Sequence, residues 1–257
     1  MAALRPLTIA VLIKQVPDMN AARIDRASGR VVTSGQLGIS SYDRYAIEAA
    51  LRLKEAAGGG EIVVVALGPA SVKDAVSRAL AMGADRGIHL ETADPNAADT
   101  LAVATAIAEA LAPLNADLVL AGQTSDDYES GQVGAQVAAL ANLPVISNVV
   151  SIEREGDAVL VRRDMEDGYQ KVRAGFPLMI LASTGLDEPR VPSVKGIMGA
   201  KKKPVDVSSV TLPTAARLTW ETPYVPPKTT SGIIVQDVPA TEAAQQLVAW
   251  LQEQKLI

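Results

Sequence analysis

Apolar residues recur along the chain with two periods, and the switching between them predicts the fold. Thr8–Ile13 is almost continuously apolar, as in a strand buried on both faces. Lys14-Gln15-Val16-Pro17-Asp18 leaves its carboxyl end, where Pro17 ends regular structure. Residues 19–34 read as an excursion with room for a hairpin. Ala46, Ile47, Ala50, Leu51 and Leu53 then mark the inner face of a helix over Arg44–Ala57, capped by Ser40-Ser41-Tyr42-Asp43 and stopped by Gly58-Gly59-Gly60. Ile62–Leu67 is a second strand, Val72–Met82 a helix closed by Gly83, and Gly87–Leu90 a third strand. An Ala-rich helix over Ala98–Leu114 follows, capped by Asp99 or Thr100. Leu118–Ala121 is the next strand, a helical pattern starts near Gln132, and Val145-Ile146 comes after it. Alternating strands and helices predict a right-handed, doubly wound, mostly parallel sheet.

The pattern changes after Asn148. Val149–Arg154, Val159–Arg163 and Gln170–Ala174 alternate apolar and polar residues and read as antiparallel strands, with a turn at Glu155-Gly156-Asp157. Phe176–Ala182 is strongly apolar again. Gly185–Pro204 reads as a loop with a basic end, Lys201-Lys202-Lys203. Val205–Val238 has many prolines and threonines and little periodicity, and a terminal helix over Thr241–Gln254 carries the stripe Ala244, Leu247, Val248 and Leu251. So long an extended segment is uncommon within a compact domain. Trp220, Tyr224, Ile233, Ile234 and Val235 make it too apolar for a disordered tail, so it reads as an arm that packs on another chain. The expected division is an α/β domain over residues 1–204, including the loop 185–204, and an arm with its helix over 205–257.

The candidate site is the stretch from Ala116 to Gly134. A short buried strand ends at Gly122, the polar run Gln123-Thr124-Ser125-Asp126-Asp127 follows, and a helix begins near Gln132. That order places ligands at the carboxyl edge of a parallel sheet, and N–H groups at a helix start favour an anion such as phosphate. Thr124, Ser125 and Ser130 add hydroxyls. Asp126 and Asp127 would repel phosphate, so they should point away or accept from ribose hydroxyls. The alternative is that Asp126 or Ser130 only caps the helix.

Composition narrows the chemistry. The 257 residues carry 3% aromatics, so the core rests on Ala, Val, Leu and Ile. A net charge of -5 argues against a general nucleic-acid binder. The absence of cysteine excludes disulfides, thiol nucleophiles and thiolate metal sites. His89, the one histidine, reads as structural. No segment is long enough to span a membrane and no secretory leader is evident, so a soluble, intracellular protein without membrane insertion is expected.

The chain resembles the β subunit of electron transfer flavoproteins over nearly its full length. The most specific match is Val161-Arg-Arg-Asp-Met-Glu-Asp-Gly-Tyr-Gln-Lys-Val-Arg-Ala-Gly-Phe-Pro177, which looks like the family signature. Lys14–Asp18, Ala50–Glu55, Ala79–Asp85 and Asp187-Glu188-Pro189-Arg190 followed by Ile197-Met198 and Ala200–Lys203 match in order and spacing. The resemblance implies an adenine nucleotide α-hydrolase-like, Rossmann-like domain with a small antiparallel extension, and a heterodimer in which the α subunit holds the redox-active FAD. It implies an AMP in this subunit, contacted by Leu12, Ser40, Ser41, Tyr42, Asp43, Leu67 and Ala121, and by Gly122, Gln123, Thr124, Ser125, Asp126, Asp127, Ser130, Gly131 and Gln132 in the loop. The family's usual loop lysine is missing, and Gln123 or Thr124 stands near its place, so backbone N–H groups would supply most phosphate contacts. Met19 takes the place of an aromatic near the flavin. Docking to dehydrogenases would rest on Val194, where a Leu is usual, with Ile197 and Met198 as alternatives, and on steering by Lys201, Lys202 and Lys203.

The function so implied is an electron carrier rather than an enzyme. It would take electrons from dehydrogenases, such as the acyl-CoA dehydrogenases of fatty acid oxidation, and pass them to a membrane-bound electron transfer flavoprotein–quinone oxidoreductase. Its place would be the cytoplasm, or the mitochondrial matrix in a eukaryote. Lys14–Asp18 and Gln132-Val133-Gly134 lean toward bifurcating members, which bind a second FAD and NAD here. A stand-alone nucleotide hydrolase would need a Gly-rich pyrophosphate loop after the first strand, which is absent. A nucleotide-binding stress protein leaves the Val161–Pro177 signature and the arm unexplained.

Overall fold

The computed structural model describes residues 4–25, 27–28, 31–33, 35–93, 98–212, 218, 221, 224, 226 and 232–257. Trp220 of the expected arm lies outside them. The main sheet is built from β1 (Leu7–Ile13), β6 (Gly60–Gly68), β7 (Arg86–Glu91), β8 (Leu118–Gly122), β9 (Val145–Glu155), β10 (Ala158–Met165), β11 (Gly168–Gly175), β12 (Leu178–Ala182) and β13 (Val205–Ser209). Its order is β11-β10-β9-β12-β8-β1-β6-β7-β13. From β9 to β13 in that order every neighbouring pair is parallel, while β10 and β11 add an antiparallel hairpin. The continuous apolar runs follow from this burial. Side chains alternate across a strand. Ile9, Val11, Leu118, Leu120, Leu178 and Ile180 therefore meet α1 (Ser41–Ala56) and α2 (Lys73–Met82) on one face. Ala10, Leu12, Val119, Ala121, Met179 and Leu181 meet α3 (Thr100–Leu111) and α4 (Val133–Leu140) on the other.

The excursion after β1 holds two small antiparallel pairs, β2 (Gln15–Pro17) with β5 (Leu37–Ile39) and β3 (Arg23–Ile24) with β4 (Val31–Val32). Of the two caps offered for α3, Asp99 is used, accepting from the Ala102 N–H at 2.9 Å.

Three features differ from the sequence reading. Val145-Ile146 and Val149–Arg154 are one strand, β9, parallel to β12 in its first half and antiparallel to β10 in its second, with Asn148 in the left-handed region at φ 56° where register shifts. The stretch 185–204 is not all loop: it contains α5 (Val194–Ala200), started by Ser193, whose Oγ accepts from the Gly196 N–H at 3.1 Å. Gly196 is required there because a Cβ would sit 2.5 Å from the Ala81 carbonyl oxygen. The sheet also runs past residue 204, since β13 pairs with β7 as an edge strand. The terminal helix α6 (Ala240–Glu253) buries no residue, so its apolar stripe faces outward. No helix among the described residues is long and apolar enough to cross a membrane.

Candidate functional site

The chain runs outward from β1 through β6 to β7, then returns to lay β8 on the other side of β1. Where strand order reverses, the strand ends part and leave a crevice, the usual ligand position in such sheets. A cleft of about 160 Å³ opens there, room for on the order of ten waters. Leu12, Leu67 and Ala121 line its floor at the tips of β1, β6 and β8, and Val103 and Ile107 of α3 form an apolar wall. Gly122, Gln123, Thr124, Ser125, Ser130, Gly131 and Gln132 line the rest, together with Asp43, Lys14, Tyr128 and the first turn of α4.

Asp43 organises the floor. Its carboxylate accepts from the Lys14 N–H at 2.7 Å and the Gly122 N–H at 2.9 Å, joining the tips of β1 and β8 to the first turn of α1. Burial pushes this carboxyl up to about 7, although both N–H donors and the Lys14 charge oppose the rise. Gly122 must lack a side chain, because a Cβ would lie 2.6 Å from Asp43 Oδ1 and 2.6 Å from Tyr42 Cβ.

The two loop carboxylates are occupied. Asp126 accepts from the Ser41 N–H at 2.8 Å and from Ser41 Oγ at 2.5 Å. It therefore caps α1, not the helix that follows it, while Ser40, at the N-cap position, makes no side-chain cap bond. The start of α1 is thus already matched by an anion of the protein itself. Asp127 accepts from Lys14 Nζ at 2.8 Å, Ser125 Oγ at 2.6 Å and the Tyr128 N–H at 2.9 Å.

Lys14 is the residue the sequence reading passed over. Its ammonium reaches the loop from the tip of β1, lies 4.8 Å from the Tyr128 ring centroid, and donates to Ser125 Oγ at 3.3 Å. It is the one cation among the described residues lining the cleft. The loop itself supplies no cation to the cleft; Lys14 brings one from the tip of β1, ion-paired with Asp127.

Gln123 is tied to the sheet: its Oε1 accepts from the Asn148 N–H at 2.8 Å, and its own N–H donates to the Ala182 carbonyl at 2.8 Å. Gln132 Oε1 accepts from Thr100 Oγ1 at 2.8 Å, tying the start of α4 to α3. No side chain caps the N-terminus of α4. Thr124 Oγ1, by contrast, is buried without a hydrogen-bond partner, as is Ser40 Oγ beside α1. A buried orphan hydroxyl is costly unless something else satisfies it. Apolar wall, orphan hydroxyl, uncapped helix start and single ammonium together suit a flat, partly apolar ligand that carries an anionic group.

Ser40, Ser41, Tyr42, Asp126 and Asp127 stand behind the cleft lining. His89 is buried on β7, its Nε2 3.1 Å from the Gly68 carbonyl. Met19 lies elsewhere, in a short turn after β2, and is partly exposed. Val194, Ile197 and Met198 lie exposed on α5. Lys201 and Lys202 are exposed, but Lys203 turns inward to the end of α2 and does not join their basic surface.

The family model described as Electron transfer flavoprotein domain matches residues 28–213. Among curated proteins, the chain is 37% identical to the electron transfer flavoprotein subunit beta of Syntrophomonas wolfei, covering 95% of this chain and 96% of that one. It is 34% identical to the Bos taurus protein of the same name, covering 98% of each. It is 33% identical to the Caffeyl-CoA reductase-Etf complex subunit CarD of Acetobacterium woodii, covering 98% of this chain and all of that one.

Proposed function

From the premise that this chain belongs to the electron transfer flavoprotein family as a β subunit, we propose that it pairs with an α subunit and holds AMP in the cleft at the tips of β1 and β8. The observation that carries the nucleotide is the cleft's donor set. Thr124 Oγ1 awaits an acceptor, Lys14 brings an ammonium that Asp127 already pairs, and Leu67 of the floor with Val103 and Ile107 of the wall suits the face of a base. The first-turn N–H groups of α4 add to the anion-binding end. Asp43, in the lining, joins the strand tips, and Asp126, behind it, fixes the α1 start.

FAD, held mainly by the α subunit, supplies the redox chemistry. This chain's share is binding and orientation. The exposed stripe of α6, with Leu247 and Val248, and the apolar Ile233 and Ile234 before it, form the surface that packs on α. Met19 covers one side of the flavin. The exposed face of α5 meets the donor dehydrogenases, acyl-CoA dehydrogenases among them, and a membrane quinone oxidoreductase accepts the electrons. The carrier works in the cytoplasm, or in the mitochondrial matrix of a eukaryote. The residue split is a nucleotide-binding domain that includes β13 and so runs to about residue 209, and a partner-packing arm beyond it.

A second reading has the same cleft take a second FAD, with NAD reacting nearby. It is favoured by Gln132-Val133-Gly134 at the mouth and by the similarity to CarD. One experiment separates the two. The heterodimer is denatured and the released small molecules are quantified by chromatography and mass spectrometry. One FAD and one AMP per heterodimer is expected. Two FAD and no AMP would replace the first reading with the second, and an empty cleft would end both.

A further inference from the structure

The segment from Asp187 to Lys203 is fastened to the domain at both ends while its middle turns an apolar face outward. At the leading end, Arg190 Nε and Nη2 donate to the two carboxylate oxygens of Glu48, 2.8 Å each. Its Nη1 and Nη2 also donate to Glu55, at 2.6 and 3.1 Å. The Arg190 backbone N–H adds a bond to Glu48 at 3.1 Å, and Arg52 pairs with Asp187 at 2.8 Å. Glu48, Arg52 and Glu55 all stand on α1. Glu48 is 3% exposed. Burial acts to raise its carboxyl, but the hydrogen bonds and charge of Arg190 outweigh that and hold it below the usual range.

At the trailing end, Lys203 Nζ donates to the carbonyls of Leu80 and Ala84, at 2.9 and 2.5 Å. These close the C-terminus of α2, where a cation is favoured. Between the two fastenings, α5 seats Gly196 against the Ala81 carbonyl and buries Ala200. Val194 is 76% exposed, and Val191, Ile197 and Met198 are exposed beside it.

With Glu48 buried and Arg190 partly exposed, desolvation offsets much of the pair's attraction, and the better-attested use of such a pair is to fix geometry. The geometry fixed here is that of an exposed apolar surface. Such a surface on a loose loop would have to be ordered at each encounter, at a cost taken from affinity. We propose that Arg190 and Lys203 are positioning residues for partner docking: they clamp residues 191–202 between α1 and α2, so that the α5 face is set before a partner arrives. Neither residue needs to touch the partner. The clamp rests on the reading of α5 as the docking surface.

The test uses the intact, flavin-loaded heterodimer and a purified acyl-CoA dehydrogenase reduced by its substrate. Arg190→Gln and Lys203→Met are compared with two contact variants, Val194→Ala and Met198→Ala. For each, KM for the carrier, kcat, flavin content and hydrogen exchange across 191–202 are measured, the last without dehydrogenase. The clamp variants should raise KM on the order of tenfold, leave kcat and flavin content unchanged, and speed exchange in the segment. The contact variants should raise KM without altering exchange. If contact variants raise KM and clamp variants do not, the clamp is refuted and the docking surface stands. If neither contact variant changes KM, both ideas fall. Unchanged exchange in Arg190→Gln also overturns the clamp. Should Arg190→Gln not assemble, Glu55→Gln removes only the outer prong, and a smaller change in the same direction is expected; no change refutes the clamp.

Discussion

Replacing Asp43 with Asn should alter how stability depends on pH more than stability at any single pH. In the folded chain burial pushes this carboxyl from the usual 3.8 up to about 7. In the unfolded chain it ionises near its ordinary value. Between roughly pH 4 and 7 the folded state therefore keeps a proton that the unfolded state has lost. The contribution of this group to stability is present below that window, falls as pH rises through it, and levels off above about 7. A rise from 3.8 to about 7 sets the swing at about 4 kcal/mol, at ~1.4 kcal/mol per tenfold change in proton affinity. Asn keeps the shape but cannot accept at both positions. Its NH2 would face either the Lys14 or the Gly122 N–H, costing about 1–3 kcal/mol for the unpaired donor. Asp43→Asn should thus melt below the parent at pH 5, and the gap should narrow or reverse by pH 8. The assay is thermal and urea unfolding of both heterodimers at pH 5, 6, 7 and 8. A gap that stays constant across that range would refute the reasoning and show that Asp43 is ionised throughout.

Three further outcomes are expected. Gly122→Ala forces a methyl to within 2.6 Å of Asp43 Oδ1 and Tyr42 Cβ, so the heterodimer should lose about 1–3 kcal/mol and retain less nucleotide; unchanged melting and nucleotide content would contradict the packing described. Lys14→Met removes the cleft's cation, and nucleotide affinity should fall on the order of tenfold with a weaker dependence on salt, read by calorimetry on nucleotide-stripped protein; equal affinities would place the anionic group away from Lys14. Met19→Ala should shift the flavin absorbance or potential by removing a polarizable cover, and identical spectra and potentials would show that Met19 is remote from the ring.

The strands that carry the site were legible because burial on both faces leaves an unbroken apolar run, as in Thr8–Ile13 and Leu118–Ala121, and helices such as α1 carry a clear 3.6-residue stripe. The loop Gly122–Gln132 was legible as polar chemistry between a strand and a helix, and the cleft opens there. What each carboxylate does was not legible, because partners lie far apart in sequence: Asp43 spans 29 residues to Lys14 and 79 to Gly122, and Asp126 reaches Ser41 across 85. Lys14 was missed for the same reason, since its contact with Asp127 crosses 113 residues. Helix α5 was hidden by Gly196 and Gly199, which lower helix propensity; of the two, only Gly196 is pressed against α2. Strand β13 was hidden because five residues, Val-Asp-Val-Ser-Ser, are too few to show a period at a sheet edge.

The position of β12 has a consequence for how the chain assembles. The strands β1, β6, β7 and β8 all precede residue 123 and pair with one another, and β9, β10 and β11 form a second set from residues 145–175. The two sets share no ladder; β12, made after both, slots between β8 and β9 and is the seam that joins them. A nascent chain that ends before Leu178 holds two sheet fragments, each with an apolar edge waiting for the same five residues. Every residue of β12 is buried, and its insertion pairs both of those edges at once. Closure of the main sheet is therefore a late and cooperative event, set by strand order rather than by the strength of any single contact.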